Sequence, residues 1–439
     1  MGAGAALRRL WRHAGFRRLL TLRALSQSAD GTVQVGMAAY LLFSPASQPD
    51  AWSIAAILAI TFLPFTLLGP FVSPLLDTWS RRQVVVVSDL LRAALSVLVG
   101  ALILVGATTS GWQVALFAGL LALLSINRFM LAGLTAGLQH VVDEDEYLTA
   151  SSILPMVGPM GVVVGALLGM AARLGLAPWL GVDPANAVVF WVAAALFLGS
   201  VALGLGFRRD ALGPVPGAAR VRARQVGREL AVALQHLAGR PVAGLAIGVL
   251  FGVRMLFGLF SVAVILAFRN LLNDDPVAAL ADLTLWGTLA GVGFIGASAV
   301  VPPLVRRLGL RWSAVVVLVV AAVATGGALS GVRPLLLGLS VLVGLGTQCY
   351  KIAADTFVQA HVAEEFKGRA FTFYDMAFNG AFVLAAVVAA VLLPTTGIGP
   401  GVAPGLAAAW LLLAAVFWWA SGRTGAAEFE KGTEDLLRR

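Results

Sequence analysis

Long apolar runs separated by short polar interruptions occupy almost the whole chain. An α-helix needs about 20 apolar residues to cross the ~30 Å hydrocarbon core of a bilayer, and twelve runs meet this requirement. They lie at 18–43, 51–76, 84–108, 112–138, 148–173, 187–207, 241–268, 283–304, 313–331, 334–358, 369–393 and 402–422. The pattern predicts an all-α membrane protein with 12 transmembrane helices, although the very short gaps on either side of 313–331 leave the count open by one.

The polar interruptions carry their basic residues unevenly. If the N-terminus lies inside, the inward loops hold most of the Arg and Lys, which is the distribution expected for cytoplasmic loops. An even number of spans then places both termini in the cytoplasm. Arg greatly outnumbers Lys, as in chains from GC-rich genomes. We therefore expect a multi-pass protein of a bacterial cell membrane.

The longest polar interruption divides the chain into two similar halves. The segment QHVVDEDEYLTA at 139–150 is echoed by QAHVAEEFKGRA at 359–370. We expect an N-terminal six-helix bundle at 1–207, a cytoplasmic basic linker at 208–240, a C-terminal six-helix bundle at 241–422 and a cytoplasmic tail at 423–439. The repeat predicts that pseudo-twofold symmetry relates the two bundles, as in many transporters.

Composition excludes an ordinary soluble fold. Hydrophobic residues make up 59% of the chain and charged residues 12%, against about 25% charged residues in soluble domains. The net charge of +9 does not indicate nucleic acid, because the basic residues follow the positive-inside pattern. We expect a monomer whose partners are the lipid bilayer and a small-molecule or lipid-like substrate. The single Cys349 and the four scattered His form no sequence motif for a metal, a nucleotide or a nucleophile triad, so we expect neither enzyme activity nor a cofactor.

Ionisable groups occur near the middle of several predicted spans, where they are costly and usually line a cavity. They recur on every third span, the first, fourth, seventh and tenth, and also on the eleventh. Candidate residues of a substrate cavity are Arg23, Gln27, Gln34, Asn127, Arg128, Arg254, Gln348, Lys351 and Asn379. Candidates for proton coupling are Asp30, Asp355 and Asp375, because a carboxyl group in a poorly hydrated cavity can exchange a proton near neutral pH.

Structural interpretations of the same residues remain open. Asp30 could form a salt bridge with Arg128 or another base and lock the N-terminal half together. Lys351 could pair with Asp355 or Asp375, or contact the head group of a substrate. The arginines of the set cannot release a proton, so they must pair with acids or bind anionic groups.

The stretch GPFVSPLLDTWSRR, before the third predicted span, resembles a loop of the major facilitator superfamily. The matching positions are Gly69, Asp77, Arg81 and Arg82. The resemblance implies a cytoplasmic gate in which the aspartate meets the N-terminal end of the eleventh span, where a carboxylate is stabilised. The bases would pair with acids of the same half. Asp89 and Arg92, at the inner end of the third predicted span, are expected to be partners in this gate or a local pair.

Two further stretches resemble one branch of that superfamily. RFMLAGLTAGLQHVVDEDEYLTASS and EEFKGRAFTFYDMAFN are similar to the branch that includes the enterobactin exporter and macrolide-efflux proteins. GPMGVVVG resembles the Gly-Pro motif of superfamily exporters, at Gly158, Pro159, Gly161 and Gly165. Small residues at this spacing also allow close helix packing, and the two interpretations are compatible.

The resemblance implies a secondary active transporter, a proton-coupled exporter (an antiporter) of an amphipathic drug-like or siderophore-like molecule that works by alternating access. The alternative is a transporter or flippase of an anionic lipid or lysolipid, since the Arg and Lys of the cavity helices could neutralise an acidic head group. A non-transporting membrane scaffold or receptor with the same fold is a third interpretation.

Overall fold

The structure, a computed structural model, describes residues 9–43, 52, 54–56, 58–59, 79–105, 110–143, 146–209, 211–213 and 223–438. Every regular element among these residues is helical, which confirms the predicted all-α fold class. The helices are α1 (Ala14–Phe43), α2 (Arg81–Leu104), α3 (Ser110–Gly137), α4 (Tyr147–Leu180), α5 (Val182–Leu205), α6 (Ala223–Ala238), α7 (Pro241–Asn270), α8 (Pro276–Ala328), α9 (Arg333–His361), α10 (Glu364–Leu392), α11 (Val402–Thr424) and α12 (Thr433–Arg438).

Local sequence explains where several of these helices begin. The carboxylate of Asp275 accepts hydrogen bonds from the backbone N–H groups of Val277 and Ala278 at 3.1 and 3.3 Å, so it caps the first turn of α8. Pro occupies one of the first two positions of α7, α8 and α9, where its missing N–H group costs nothing. Within α8, Gly309 has a φ of 77°, so two helices meet there in place of one continuous rod.

Among the described residues, nine helices (α2–α5 and α7–α11) are long and apolar enough to cross a membrane. Large apolar side chains cover their outer faces, such as Trp179 at 86% exposure and Ile295 at 77%. Such a surface suits lipid and not water. The chain is therefore a multi-pass membrane protein. Most of the predicted second span, 51–76, lies outside the described residues.

Contacts divide the chain into two units, Met1–Ser44 with Leu67–Val226 and Pro45–Thr66 with Gly227–Arg439, so one boundary falls inside α6. In unit 1, which contains α1–α5, α1 packs against α4 and α5, while α2 packs between α3 and α5. Glycines make the α1–α4 contact close. A Cβ atom on Gly165 would lie 1.7 Å from the carbonyl oxygen of Ser28, and one on Gly31 would lie 2.0 Å from that of Val162.

Unit 2 contains α7–α12, and its broadest contact joins α8 to α9. This contact also depends on glycine, because a Cβ atom on Gly293 would lie 2.0 Å from the carbonyl oxygen of Val341. The C-terminal segment folds back onto the unit. Phe429 is fully buried, with its ring centroid 5.2 Å from that of Phe357 and 5.7 Å from that of Phe417.

Candidate functional site

A buried polar network joins three helices in unit 1, and we call it the carboxylate network (Ser26, Gln27 and Asp30 of α1, Asp89 and Arg92 of α2, Ser200 of α5). The guanidinium of Arg92 donates to Asp30 through Nη2 and to Asp89 through Nη1, the latter at 2.8 Å. All three side chains are buried, with at most 1% of their surface exposed. Arg92 also lies over the ring of Phe197, with 4.1 Å between Cζ and the ring centroid.

Hydroxyl and amide groups complete this network. Ser26 and Ser200 donate to the two oxygens of Asp89 at 3.0 and 2.6 Å. Gln27 donates to Asp30 at 2.8 Å and to the amide oxygen of Asn127 at 3.3 Å. Both carboxylates are therefore held by several donors, as buried ions must be if they are to persist in an apolar interior.

The charges of the network do not balance. Asp30 and Asp89 contribute two negative charges and Arg92 one positive charge, so one negative charge is left over. Arg23 is also buried, one turn before Gln27, but it forms no ion pair among the described residues, and its Nε and Nη1 atoms have no hydrogen-bond partner there.

The Gly-Pro stretch of α4 lies beside this region. Gly158, Gly161 and Gly165 are buried, whereas Pro159 is exposed. A Cβ atom on Gly158 would lie 3.3 Å from Nη2 of Arg23, and one on Gly161 would lie 2.9 Å from a carbonyl oxygen of α1. The packing role expected for these glycines is therefore visible in the α1–α4 contact.

Unit 2 presents a different arrangement, the cation–aromatic cluster (Arg254 of α7, Lys351 of α9, Tyr374, Phe378 and Phe382 of α10). Cζ of Arg254 lies 4.4 Å from the ring centroid of Phe378 and 4.3 Å from that of Phe382. Nζ of Lys351 lies 5.4 Å from the ring centroid of Tyr374 and 5.8 Å from that of Phe378. Phe378 is thus in contact with both cations.

Lys351 also forms an ion pair on its own helix. Its Nζ donates to Asp355 at 3.1 Å, and the two side chains keep 28% and 30% of their surface exposed. Asp375 is exposed, and its carbonyl oxygen accepts a hydrogen bond from Asn379 at 2.8 Å. Gln34 and Gln348 are half-buried. The side chain of Arg128 lies outside the described residues.

The residues assigned to the gate separate into two groups. Asp89 and Arg92 lie in the middle of α2 and not at its end, because the helix begins at Arg81 and ends at Leu104, earlier at both ends than the predicted span 84–108. Arg81 contacts His140 at 2.9 Å between Nη1 and Nε2, and Arg82 donates to the carbonyl oxygen of Leu205 at 3.1 Å. Gly69 and Asp77 lie outside the described residues.

Partial burial and the neighbouring Arg81 cation lower the pKa of His140, which lies beyond the end of α3. A second histidine, His13, contacts Glu146 at 2.8 Å and Asp143 at 3.8 Å. The ligand atoms of these three residues lie within 4.8 Å of one another, so in the described part of the chain they are a group that could hold a metal ion. Sequence reasoning missed them because 133 positions separate His13 from Glu146.

Sequence reasoning also missed the serines of the carboxylate network and the aromatic partners of Arg254. Serines are frequent in apolar helices, so nothing marked Ser26 and Ser200. The stretch FTFYDMAF, in contrast, did carry a signal, because it places several aromatic residues beside predicted cavity positions.

Comparison with known proteins identifies relatives along most of the chain, although no family model matches the sequence. An uncharacterised MFS-type transporter of Mycobacterium tuberculosis is 32% identical over 396 residues, which cover 88% of this chain and 86% of the relative. An uncharacterised MFS-type transporter of Mycobacterium bovis matches equally well, at 32% over 396 residues with the same coverage of 88% and 86%.

Solved structures share the fold at low identity. An auto-inhibited POT family peptide transporter superposes with a TM-score of 0.67 at 14% identity and covers 93% of this chain and 97% of its own. The nucleoside transporter NupG, in a mutant form, gives 0.66 at 16% identity, with coverage of 92% and 99%. A bacterial homologue of the human lysosomal transporter Spinster, in an inward-facing and unoccupied conformation, gives 0.57 at 14% identity, with coverage of 100% and 99%.

Proposed function

The chain belongs to the major facilitator superfamily and is a membrane transporter of that type, and we propose that it is a proton-coupled exporter of an amphipathic small molecule that works by alternating access. The observation that carries the proposal is the unbalanced charge of the carboxylate network. The fold alone selects no cargo, since similar structures belong to transporters named for peptides and for nucleosides.

An unbalanced charge in a buried network favours proton binding. Two carboxylates share one guanidinium inside unit 1, and leaving a net charge in an apolar interior costs several kcal/mol. A proton on Asp30 or Asp89 removes that charge and loosens the hold of Arg92 on the acid that receives it. Because α1, α2 and α5 meet at the network, protonation would change how firmly these helices hold together.

Coupling requires that the proton prefer one conformation of the transporter. A proton shifts the balance between inward-open and outward-open states only by the difference in its affinity for the two.

The proposed direction, export, rests on the Gly-Pro stretch of α4, in which Gly158, Gly161 and Gly165 line the close α1–α4 contact. We place the protein in a bacterial cell membrane with both termini in the cytoplasm, on the distribution of its basic residues.

The test is transport into proteoliposomes from a panel of amphipathic compounds, with and without an imposed pH gradient. Asp30→Asn and Asp89→Asn each leave one acid and one base, a balanced pair without a spare proton site. We expect each variant to lose the stimulation by the pH gradient, at least roughly tenfold, while exchange of substrate across the membrane at equal pH continues.

Asp282→Asn is the matched control. Asp282 is also buried and also bonded to an arginine, Arg333, at 2.5 and 2.8 Å, but it belongs to unit 2 and takes no part in the network. This variant should keep its response to the gradient. Full gradient-driven transport in either Asp30→Asn or Asp89→Asn would contradict proton coupling through the network.

The cation–aromatic cluster favours a second candidate cargo, an anionic lipid or lysolipid. Arg254 and Lys351 could neutralise its head group, and the rings of Phe378 and Phe382 offer apolar surface next to them. Scrambling of a fluorescent lysolipid by the reconstituted protein, compared with protein-free vesicles, tests this candidate; equal rates in both would rule it out.

A further inference from the structure

Three polar side chains, which we call the histidine–carboxylate group (His13, Asp143 and Glu146), meet at the end of unit 1 where α1 and α4 begin. His13 immediately precedes α1, and the two acids lie in the connection that precedes α4. Nε2 of His13 lies 2.8 Å from Oε2 of Glu146 and 3.8 Å from Oδ2 of Asp143. Ligand atoms from two distant segments of the chain are thus brought together.

The backbone brings these two segments close to each other. The N–H group of Glu146 donates to the carbonyl oxygen of Asp143 at 3.1 Å, so one turn sets the two carboxylates side by side. Gly15, two positions after His13, allows the start of α1 to approach that connection, since a Cβ atom on it would lie 3.2 Å from Cβ of Val141. The backbone therefore keeps the imidazole near both carboxylates.

The separations of the ligand atoms suit a small divalent cation. Zinc binds nitrogen and oxygen ligands at about 2.0–2.2 Å in tetrahedral geometry, which sets two ligand atoms about 3.4 Å apart. The observed separations of 2.8 and 3.8 Å lie on either side of this value, and all three ligand atoms lie within 4.8 Å of one another. Small rotations of the side chains would place an ion at bonding distance from all three.

The charges of the group also favour a divalent cation. Among the described residues, Asp143 and Glu146 bond to no arginine or lysine side chain, and His13 is the ionisable group that pairs with them. A protonated His13 balances one of the two carboxylates. A divalent cation balances both, because it binds the imidazole in its neutral form.

A cavity of about 410 Å³ opens beside the group and is lined in part by His13, His140 and Asp143. Nε2 of His140 lies 2.9 Å from Nη1 of Arg81, so we do not count His140 as a ligand. The side chain of Asp143 is 72% exposed, whereas that of Glu146 is 14% exposed. An ion can therefore enter from the cavity, and water can fill the coordination position that three protein ligands leave open.

We propose that His13, Asp143 and Glu146 bind a divalent transition-metal cation such as Zn²⁺. The imidazole nitrogen favours such an ion over Mg²⁺ and Ca²⁺, which prefer oxygen ligands alone. The bound ion takes the place of the hydrogen bond between His13 and Glu146 and links the start of α1 to the connection before α4. No residue of the carboxylate network takes part, so this site goes beyond the proposed transport function.

Zinc binding is measured on the whole purified chain in nanodiscs at pH 7, after cleavage of any histidine tag. Competition with a chromogenic zinc indicator should show one zinc ion per chain. ZnCl₂ should also raise the thermal unfolding midpoint, because a ligand that binds the folded state stabilises it. An unchanged midpoint, or the absence of stoichiometric binding, would overturn the site, and an equal rise with MgCl₂ would overturn the choice of a transition metal.

Ligand substitutions assign the binding to these residues. His13→Gln and Glu146→Gln should each weaken zinc binding at least roughly tenfold, since even the outer partners of a metal site contribute about that much. His236→Gln is the matched control, because His236 belongs to unit 2, where its ring stacks on that of Phe366 at 4.3 Å between centroids. Unchanged affinity in His13→Gln, or an equal loss in His236→Gln, would overturn the assignment.

Glu146→Gln also distinguishes a metal site from a plain hydrogen bond. The amide oxygen of the new side chain can still accept a hydrogen bond from His13, but the carboxylate ligand is gone. With a metal site, the variant keeps the metal-free midpoint of the wild type and loses most of the rise that ZnCl₂ produces. A rise as large as that of the wild type would place the zinc elsewhere and overturn the site.

This binding test is separate from the test of proton coupling. It uses no pH gradient and no transported compound, so zinc can bind as expected even if Asp30→Asn and Asp89→Asn keep full gradient-driven transport. Zinc binding can also fail while transport remains coupled to protons.

Discussion

The two units handle charge within the membrane in opposite ways. Unit 1 encloses Asp30, Asp89 and Arg92 completely and surrounds them with serine and amide donors. Unit 2 places Lys351 and Asp355 half-exposed, beside aromatic rings that also hold Arg254. The difference is one of access: the network of unit 1 is closed off, whereas the ion pair of Lys351 and Asp355 remains partly exposed.

The comparison predicts that removing a base destabilises unit 1 far more than unit 2. Arg92→Leu leaves two buried carboxylates without a cation, which should lower the free energy of unfolding by about 3–5 kcal/mol. Lys351→Leu breaks a half-exposed pair and should cost about 1 kcal/mol or less. Thermal unfolding followed by size-exclusion chromatography measures both variants. Equal losses would contradict the contrast between the two units.

Close helix contacts, in contrast, should matter equally in both units. Gly165→Ala forces a Cβ atom against the backbone of α1, and Gly293→Ala does the same between α8 and α9. Each should cost about 1–3 kcal/mol, as overpacked cores do. Gly175→Ala is the control on α4, because nothing lies within 4 Å of its Cβ position. It should be neutral or stabilising, since Ala is the better helix former; a comparable loss there would remove the packing explanation.

A smaller loss of stability is expected from a change in the C-terminal segment, which folds back onto unit 2. Glu430 accepts hydrogen bonds from the backbone N–H groups of Leu310 and Arg311 at 2.8 and 3.2 Å, next to Gly309. Glu430→Ala should lower stability by about 1 kcal/mol, the usual effect of losing a helix cap. Cys349 is buried, so the temperature at which it begins to react with a fluorogenic maleimide reports the stability of unit 2.

Glu428→Ala serves as the control for this prediction. Glu428 pairs with Lys431 at 2.6 Å and lies 3.6 Å from Nε2 of His361, but Glu430, and not Glu428, accepts the backbone hydrogen bonds of Leu310 and Arg311. Its loss should change the midpoint by less than that of Glu430, because exposed ion pairs contribute little. A larger effect of Glu428→Ala would show that surface charge, and not the cap, holds the tail.

The smallest expected effect is a pH dependence specific to unit 1. Partial burial and Arg81 lower the pKa of His140 below its ordinary value of about 6.5. The folded state thus binds this proton less readily than the unfolded state. The stability that neutral His140 contributes is present above pH 6.5 and is lost as the pH falls through the lowered folded pKa. His140→Gln should flatten the fall in unfolding midpoint between about pH 7 and 5; an unchanged slope would assign it to other groups.

Much of the fold was accessible from the pattern of apolar residues. Apart from 51–76, which lies mostly outside the described residues, the long apolar runs overlap described helices, because a bilayer leaves the backbone no partner except its own helix. The junction between the eighth and ninth predicted spans was visible as a very short gap, and the structure has two helices meeting at Gly309 there. The basic linker, however, did not reveal that α6 would straddle the division between the units.

The candidate sites were accessible only in part. Helical spacing identified Asp30, Arg254 and Lys351 as unusual, because a charge amid apolar residues stands out in any window of sequence. It did not identify the partner of Asp30, since Arg92 follows 62 positions later on a helix whose predicted bounds were shifted. The interpretation of Asp30 as ion-paired with a base of its own half agrees with the geometry, although the base named first was Arg128.

The sequence by itself determined that this chain crosses a membrane repeatedly, that charges lie inside its helices, and that it resembles a transporter superfamily. The first two follow from the cost of placing polar groups in hydrocarbon, a cost that each residue carries wherever the chain folds, and the third follows from short motifs. Only the tertiary structure decided which charges meet. Contacts such as Arg92 with Asp30, or Arg254 with Phe378 and Phe382, depend on the rotation and spacing of packed helices, and a single turn of one helix would change the partner.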